Sequence, residues 1–234
     1  SLYEYGLAFR SSDVLIGGFI WDFVDQGLWT PFNTYFDDPL DYYDNGKFLG
    51  YGGTWSDSPN SGNFLQNGIV SADRALQPEC AEVKYVYQSV WFSAQALTGE
   101  NRMVSVYNEH HFTDLSEFDY GYELLCNGKV IDSGSFKLNG RPGETIMFEV
   151  PYELPETLEA DGEYKLNVFA KLAGDTDYAK KGYTIASEQL DIFVEVSHEK
   201  ADCSEMGDIA YNETDTEIMV TGEKFTVVFD KASG

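Results

Sequence analysis

The sequence predicts a mostly β protein, in which an immunoglobulin-like antiparallel β-sandwich follows a segment of a (β/α)₈ barrel. From about residue 91 onward, short runs of alternating apolar and polar residues are separated by Gly, Pro and Asp clusters, which is typical of a sandwich. Before that point, a continuous apolar run lies between two stretches of helical periodicity, as in a barrel. The predicted parts are a barrel segment over 1–90, the sandwich over 91–198, and a linker with the first hairpin of a further domain over 199–234.

Four elements are predicted in the first part. Residues 1–10 show the apolar spacing of a short helix, and residues 14–21 (Val-Leu-Ile-Gly-Gly-Phe-Ile-Trp) form an uninterrupted apolar run, which predicts a strand buried on both faces. Residues 27–78 are rich in Gly, Asn, Asp, Ser and Pro and are predicted to be a long irregular connection, whereas 79–90 are predicted to be a helix. A barrel strand without neighbours leaves backbone groups unpaired, so residues 11–30 should pack on the sandwich or another chain, or be less regular than in a barrel.

The second part is predicted from its alternation. Asn127-Gly128 between two such runs predicts a two-residue hairpin of type I′, because both residues tolerate positive φ. Residues 197–212 are polar and acidic and are predicted to be a linker, and 216–230 are predicted to be one more hairpin. The predicted sandwich strands are Met103–Glu109, Tyr120–Cys126, Lys129–Lys137, Thr145–Val150, Glu163–Lys171 and Ser187–Val196.

Composition excludes several classes of function. The formal charge is −25 and no basic stripe is present, which argues against nucleic acid or anionic membrane as a partner. No apolar run approaches the length of a membrane span, and no signal peptide opens the chain, so the compartment is not predicted. The three cysteines are too few and scattered for a disulfide framework or a zinc site.

The most informative stretch is Gly-Gly-Phe-Ile-Trp-Asp-Phe-Val-Asp-Gln over 17–26, which places Trp21 at the end of the predicted strand with carboxylates directly after it. An aromatic ring beside polar groups at a pocket mouth suits sugar binding. Asp22 and Asp25 are not interpreted as a catalytic pair, because an offset of three places them on opposite faces of a continuing strand. A retaining glycosidase needs its two carboxyl groups about 5 Å apart, so no catalytic residue is predicted in this chain.

Residues 1–90 carry motifs that resemble the large bacterial β-galactosidases of glycoside hydrolase family 2, in the same order and with similar spacing. More weakly, Phe112-Thr113-Asp114-Leu115-Ser116 resembles the next sandwich domain of that family, and Phe229-Asp230-Lys231 resembles the opening of its last domain. The motifs are 17–26, Tyr51-Gly52-Gly53, Asp57-Ser58-Pro59-Asn60, Asn63-Phe64 with Asn67-Gly68-Ile69-Val70, Ala72-Asp73-Arg74 and Glu82-Val83-Lys84-Tyr85-Val86-Tyr87-Gln88.

The resemblance implies roles for four residues. Trp21 would form part of the wall of a galactose subsite, and the Phe64 main-chain carbonyl with the Asn67 side chain would hold a sodium-like monovalent cation that touches the sugar's 6-hydroxyl. Asn60 would lie near a second, magnesium-type site. The family's two catalytic glutamates, and the magnesium ligands beside one of them, are expected on barrel strands before Ser1.

The sequence is therefore interpreted as a fragment of a family 2 β-galactosidase that supplies sugar- and cation-binding residues and scaffold. The parent would hydrolyse terminal β-D-galactosides with retention, as a homo-oligomer of the bacterial cytoplasm or periplasm, while the isolated chain would be inactive and hold no cofactor. Thr54, Leu65 and Gln77-Pro78-Glu79-Cys80 depart from the family pattern and leave the preferred glycoside open.

Two alternatives remain. The chain could be a non-catalytic carbohydrate-binding or adhesion module, whose Trp29, Trp55 and Trp91 form a stacking platform. It could also be a purely structural interdomain piece.

Overall fold

The computed structural model describes residues 2–31, 47–62, 64–195, 202, 204 and 206–234. By its internal contacts the chain divides into two compact units. The first comprises residues 1–155 and 163–194, and the second comprises residues 156–162 and 195–234.

Two helices open and close the first 90 residues. Helix α1 spans Leu2–Arg10 and α2 spans Glu79–Val86, so both predicted helices are confirmed. The predicted α2 is four residues too long, because Tyr87 leaves the helical conformation (φ −95°, ψ 6°) and Val90 pairs with Asn108 in a strand instead.

The predicted buried strand over 14–21 is wrong. These residues form no regular element, and their apolar side chains face solvent: Ile16 is 101% exposed and Phe19 is 103% exposed. A strand that is buried on both faces needs a neighbour along each edge. Within the described ranges, the stretch just beyond it makes a single parallel bridge, between Val24 and Val70. The alternative expectation, that residues 11–30 are less regular than in a barrel, is confirmed.

The prediction that residues 27–78 form an irregular connection is wrong at two places, where short strands form. Strand β1 (Leu28–Pro31) and strand β2 (Lys47–Gly50) pair antiparallel, with Leu28 opposite Gly50. These four-residue strands were not predicted, because the surrounding segment is rich in polar residues and glycine and the strands are too short to show a clear pattern. Residues 32–46 and Asn63, which belong to the same predicted connection, lie outside the described residues.

The predicted β-sandwich is confirmed. It contains a three-stranded antiparallel sheet of order β3-β4-β7 and a four-stranded antiparallel sheet of order β6-β5-β8-β9. The last strand is shifted from the predicted Ser187–Val196, because it starts where Thr184 pairs with Lys171. The strands are β3 (Val90–Ser93), β4 (Met103–Asn108), β5 (Phe118–Cys126), β6 (Lys129–Phe136), β7 (Thr145–Glu149), β8 (Tyr164–Leu172) and β9 (Thr184–Ile192).

The core lies between the two sheets. Strand β8 shows why the sequence folds this way, because every second residue from Tyr164 to Leu172 is buried and the residues between are more exposed. Rings from the two sheets meet at two places: Phe92 lies edge-on to Tyr120 (centroids 6.5 Å apart), and Phe136 stacks on Phe148 (4.5 Å). Such pairs contribute about 0.5–1.5 kcal/mol each beyond the buried area.

The turn between β5 and β6 confirms the predicted hairpin type. Asn127 has φ 49° and Gly128 has φ 75°, and Cys126 lies opposite Lys129. Both central residues therefore have the positive φ of a type I′ turn, which matches the right-handed twist of the flanking strands.

The second unit holds a small antiparallel sheet of order β10-β11-β12. Strands β11 (Glu217–Thr221) and β12 (Thr226–Asp230) confirm the predicted hairpin. Strand β10 (Ala210–Glu213) is a correction, because its first three residues belong to the predicted linker over 197–212. All four of its residues are exposed, but its backbone pairs with β11. Residues 196–201, 203 and 205 of that linker region lie outside the described residues.

Candidate functional site

The segments after Trp21 and after Phe64 come together through backbone hydrogen bonds. The Asp22 amide donates to the Asn67 carbonyl (3.1 Å), and the Ile69 amide donates to the Asp22 carbonyl (3.2 Å). Further along, the Val70 amide donates to the Phe23 carbonyl (2.9 Å). Two motifs separated by about 45 residues in the sequence are thus neighbours, and we call this paired region the 22–26/65–70 ladder.

The two carboxylates of the ladder hold its backbone and amide groups. Asp25 Oδ1 accepts a hydrogen bond from the Gly68 amide (2.8 Å). Asp22 Oδ2 accepts hydrogen bonds from the Gln26 side chain and, at 3.5 Å, from Asn67 Nδ2. Both carboxylates therefore act as acceptors within the ladder.

Gly68 allows the two segments to approach. A Cβ atom at this position would lie 2.2 Å from the Asp25 nitrogen and 2.5 Å from the Val24 carbonyl carbon. Both are rigid backbone atoms, so a larger residue could not be accommodated without separating the segments.

Helix α2 and the residues just before it are tied to the same ladder by two side chains whose contacts were not predicted from the sequence. Gln77 Nε2 donates to the Gly68 carbonyl (3.1 Å), and Cys80 Sγ donates to the Ile69 carbonyl (2.9 Å). Their positions just before and inside the helix were the available signal, because polar groups at a helix start often bond to the preceding loop.

Trp21 directly precedes Asp22, whose amide bonds to Asn67, but the side chains of Trp21 and Asn67 lie in different environments. Trp21 is 77% exposed, and its peptide bond to Asp22 is cis. The side-chain oxygen Oδ1 of Asn67 is buried and has no hydrogen-bond partner among the described residues. A buried, unpaired carbonyl oxygen costs about 1–3 kcal/mol and is therefore the natural place for an external partner.

Asn60 and Phe64 lie in the turn that leads into the ladder. The Asn60 amide is engaged at both ends, since Nδ2 donates to the Asp57 carbonyl (2.8 Å) and Oδ1 accepts from the Gly62 amide (2.9 Å). The Phe64 ring is exposed, and its amide donates to the Ser61 carbonyl (3.3 Å). Across the described ranges, no group of three or more His, Cys, Asp or Glu side chains could hold a metal ion.

Comparison with known protein families identifies both parts of the first unit. The profile described as "Glycosyl hydrolases family 2, TIM barrel domain" matches residues 1–92, and "Beta-galactosidase, domain 4" matches residues 104–193. The chain belongs to glycosyl hydrolase family 2. The ladder thus lies in the part of the chain that matches the family 2 barrel, and the sandwich matches the domain that follows it.

Curated relatives agree with the family 2 assignment, and all carry the name beta-galactosidase. The relative from Priestia megaterium is 32% identical over 235 residues, which is 100% of this chain and 21% of the relative. That from Clostridium acetobutylicum is 32% identical over 93% of this chain and 22% of the relative, and that from Vibrio vulnificus strain YJ016 is 34% identical over 80% and 17%. The chain therefore spans about a fifth of the length of these family 2 relatives.

The three tryptophans of the alternative platform differ in accessibility. Trp29 in β1 and Trp55 after β2 are each 42% exposed. Trp91 in β3 is already engaged: its indole nitrogen donates to Glu109 (2.7 Å), and the Arg10 guanidinium lies 4.6 Å from its ring centroid. Trp91 is thus packed against protein on one face.

Among the helices described, none is long and apolar enough to cross a membrane.

Proposed function

We propose that this chain is part of a β-galactosidase, in which the 22–26/65–70 ladder forms one wall of the sugar-binding site and the sandwich supports it. The observation that carries the proposal is the ladder itself, in a segment that matches the family 2 barrel. It joins Asp22, the residue after Trp21, to Asn67. Trp21 and Asn67 are the two residues for which the resemblance implies a part in sugar binding. The parent would hydrolyse terminal β-D-galactosides with retention of configuration.

The exposed ring of Trp21 supplies the stacking surface. An indole face offers a large apolar area for one side of a pyranose, and the polar groups beside it can bond to hydroxyls. Its exposure in this chain is consistent with a ring that meets a ligand rather than a core.

The Asn67 side chain supports our proposal that a monovalent cation binds beside this ring. Sodium prefers oxygen ligands, and the Asn67 Oδ1 atom is a buried acceptor that lacks a donor among the described residues. Asn67 and the Phe64 carbonyl would hold the ion, which when bound supplies a positive charge for a sugar hydroxyl. The assignment of Asn60 to a magnesium-type site has weaker support, since its amide is used inside its own turn.

This chain does not supply the acid and the nucleophile in our proposal. Asp22 and Asp25, the carboxylates nearest Trp21 in the sequence, accept hydrogen bonds from the ladder and hold its geometry. The reacting carboxyl groups would come from the remainder of the parent barrel. The domain bounds that we propose are 1–90, 91–198 and 199–234.

The test is an activity assay with a chromogenic β-galactoside on two proteins: the pure 234-residue chain and a longer protein that includes it. We expect no turnover by the chain and turnover by the longer protein. In the latter, Trp21→Ala should lower kcat/KM roughly tenfold or more, whereas Trp29→Ala, which removes a tryptophan of strand β1, should change it little. Turnover by the pure chain, or equal effects of the two substitutions, would contradict the proposal.

The cation is tested separately by sodium titration of the longer protein. Asn67→Ala should raise the sodium concentration needed for half-maximal activity, while Asn101→Ala, an exposed control in the sandwich, should not. An unchanged sodium dependence in Asn67→Ala would remove the cation from the proposal and leave the galactosidase assignment standing.

A further inference from the structure

A cleft of about 460 Å³ lies on the sandwich, and none of the residues discussed for the ladder lines it. Its walls come from the link between α2 and β3, the end of β4, the turn before β5 and the loop between β8 and β9. The residues used below are Tyr87, Gln88, His110, Glu117, Asp175 and Tyr178.

Gln88, which lines this cleft, carries a buried donor without a partner among the described residues. The side chain is only 4% exposed, and its Oε1 accepts a hydrogen bond from the Ser187 amide (3.0 Å). Because an amide N–H can only donate, this bond fixes the orientation of the Gln88 side chain. Nε2 is then left buried with no partner among the described residues, and it requires an acceptor.

His110 gives the cleft an acceptor, by a chain of hydrogen bonds. Asn108 Nδ2 donates to the carbonyls of Thr113 (2.9 Å) and Gly140 (3.0 Å), so its Oδ1 is the atom that faces the His110 ring. The ring atom Nδ1 lies 3.0 Å from that oxygen and must carry the proton of the pair. In the neutral ring, Nε2 is therefore an acceptor, and burial lowers the pKa of His110, which favours the neutral form.

The rest of the lining selects against anions and offers aromatic surface. Glu117 and Asp175 bring two carboxylates to the cleft of a chain whose formal charge is already −25. Asp175 also orders the β8–β9 loop, because its carboxylate bonds to Lys180 Nζ and to the Lys181 amide (2.9 Å each). That loop presents Tyr178, whose ring is 74% exposed, and Tyr87 adds a second exposed ring.

From these groups we infer that the cleft is a second carbohydrate site, which binds a neutral, hydroxyl-rich sugar on the sandwich. A sugar carries several hydroxyls, each of which both accepts and donates, so its hydroxyls can supply the acceptor that the Gln88 amide needs and a donor for the His110 ring nitrogen. The Glu117 carboxylate accepts a hydrogen bond from a further hydroxyl, and the Tyr178 ring covers an apolar face of the sugar. This site uses none of the residues of the ladder and does not depend on the function proposed for them.

The inference is tested by nuclear magnetic resonance on the ¹⁵N-labelled 234-residue chain, titrated in turn with glucose, galactose and lactose. At least one sugar should shift the Gln88 side-chain amide signals saturably, with a millimolar Kd. Tyr178→Ala should weaken this binding roughly three- to tenfold, the effect of losing one stacked ring. Because Tyr178 lies at an exposed loop, its truncation leaves the core intact.

Two control variants locate the site. Tyr211→Ala removes another exposed tyrosine (62% exposed) from the second unit, and Trp21→Ala removes the ring next to the ladder; neither should change the shifts of Gln88. The absence of a Gln88 shift with all three sugars would overturn the inference, as would unchanged affinity in Tyr178→Ala. Tighter binding of glucuronate than of glucose would overturn the neutral sugar class.

Discussion

Arg10 at the end of α1 forms a two-pronged contact with Glu109, the residue after β4. Its Nε lies 2.5 Å from Glu109 Oε1, and its Nη2 lies 3.0 Å from Oε2. The same Nη2 donates to the Val86 carbonyl at the end of α2 (2.9 Å), and the guanidinium covers the Trp91 ring. One side chain thus connects the two helices of the barrel-like segment to the sandwich.

Arg10→Ala should lower the free energy of unfolding by about 1–3 kcal/mol, because it removes a charge-assisted fork and a cation–π contact. Arg10→Lys should recover only part of this loss, since an ammonium cannot form the planar fork. Urea unfolding followed by tryptophan fluorescence measures both. Lys137→Ala, which removes the more exposed pair with Asp119, is the control and should have a much smaller effect. Equal effects of Arg10→Ala and Lys137→Ala would show that the connection is not stabilising.

Asn108→Leu should destabilise the sandwich by about 2–4 kcal/mol. Asn108 is fully buried, and leucine, of similar size, would leave the Thr113 and Gly140 carbonyls without their donor. Thermal unfolding measured by circular dichroism should show a lower Tm. Asn101→Leu, at an exposed position of the same sandwich, serves as the matched control. A Tm as high as that of the unsubstituted chain would mean that water replaces the lost donor without cost.

His110 should make stability depend on pH in the mildly acidic range. Burial lowers its pKa below the ordinary value of 6.5, with a further contribution from His111, while Glu109 and Glu117 oppose the shift. The unfolded chain therefore binds the proton more readily, so the stabilisation is complete above about pH 6.5 and is lost as pH falls through the lower folded pKa.

His110→Gln should flatten the dependence of the unfolding free energy on pH between about pH 7 and pH 5, as measured by urea titrations at each pH. His111→Gln, which removes the exposed neighbouring histidine, should reduce the slope only slightly, because burial is the largest cause of the His110 shift and His111 a lesser one. A slope that survives in His110→Gln would assign the titration to another group.

Gly68→Ala should break the 22–26/65–70 ladder, because the added methyl group would meet the Asp25 nitrogen and the Val24 carbonyl carbon. Hydrogen exchange should then become faster at the amides of Asp25 and Val70, which donate hydrogen bonds within the ladder of the unsubstituted chain. Gly174→Ala, where nothing lies within 4 Å of the added Cβ, is the control. Unchanged exchange in Gly68→Ala would mean that the backbone relaxes around the methyl group.

Ile16→Ser and Phe19→Ser should each change the free energy of unfolding by less than about 0.5 kcal/mol, because both side chains are fully exposed in this chain. Val104→Ser, at a core position that is 1% exposed, should cost several times more. Urea unfolding compares the three. A large loss in Phe19→Ser would show that residues 14–21 are buried, as the sequence first suggested.

The sandwich could be predicted from the sequence because its strands carry their own signal. The alternation along β8 determines which of its side chains face the core, and the Asn127-Gly128 pair determines the turn between β5 and β6. Both signals lie within a few consecutive residues. The apolar run over 14–21 misled for the opposite reason: its composition specifies burial, but burial also requires neighbouring strands, which local sequence does not describe. Strand β10 escaped prediction because its backbone pairs while its side chains remain exposed.

The candidate site was only partly readable from the sequence. The positions of Trp21 and Asn67 came from a resemblance, and the structure adds the pairing of Asp22 with Asn67. The roles of Gln77, Cys80 and Gln88 could not be predicted, because each depends on a contact partner in another element and on the loss of water around one atom.

Strand β12 has a consequence for handling the chain at high concentration. Its residues Thr226–Asp230 are all exposed, three of the five being Val227, Val228 and Phe229, and within the described ranges they pair only with β11. The opposite edge is a template on which another molecule can add a strand, which is the first step toward intermolecular sheets. Lys224 and Lys231 flank this stretch as gatekeepers, so their neutralisation would favour self-association.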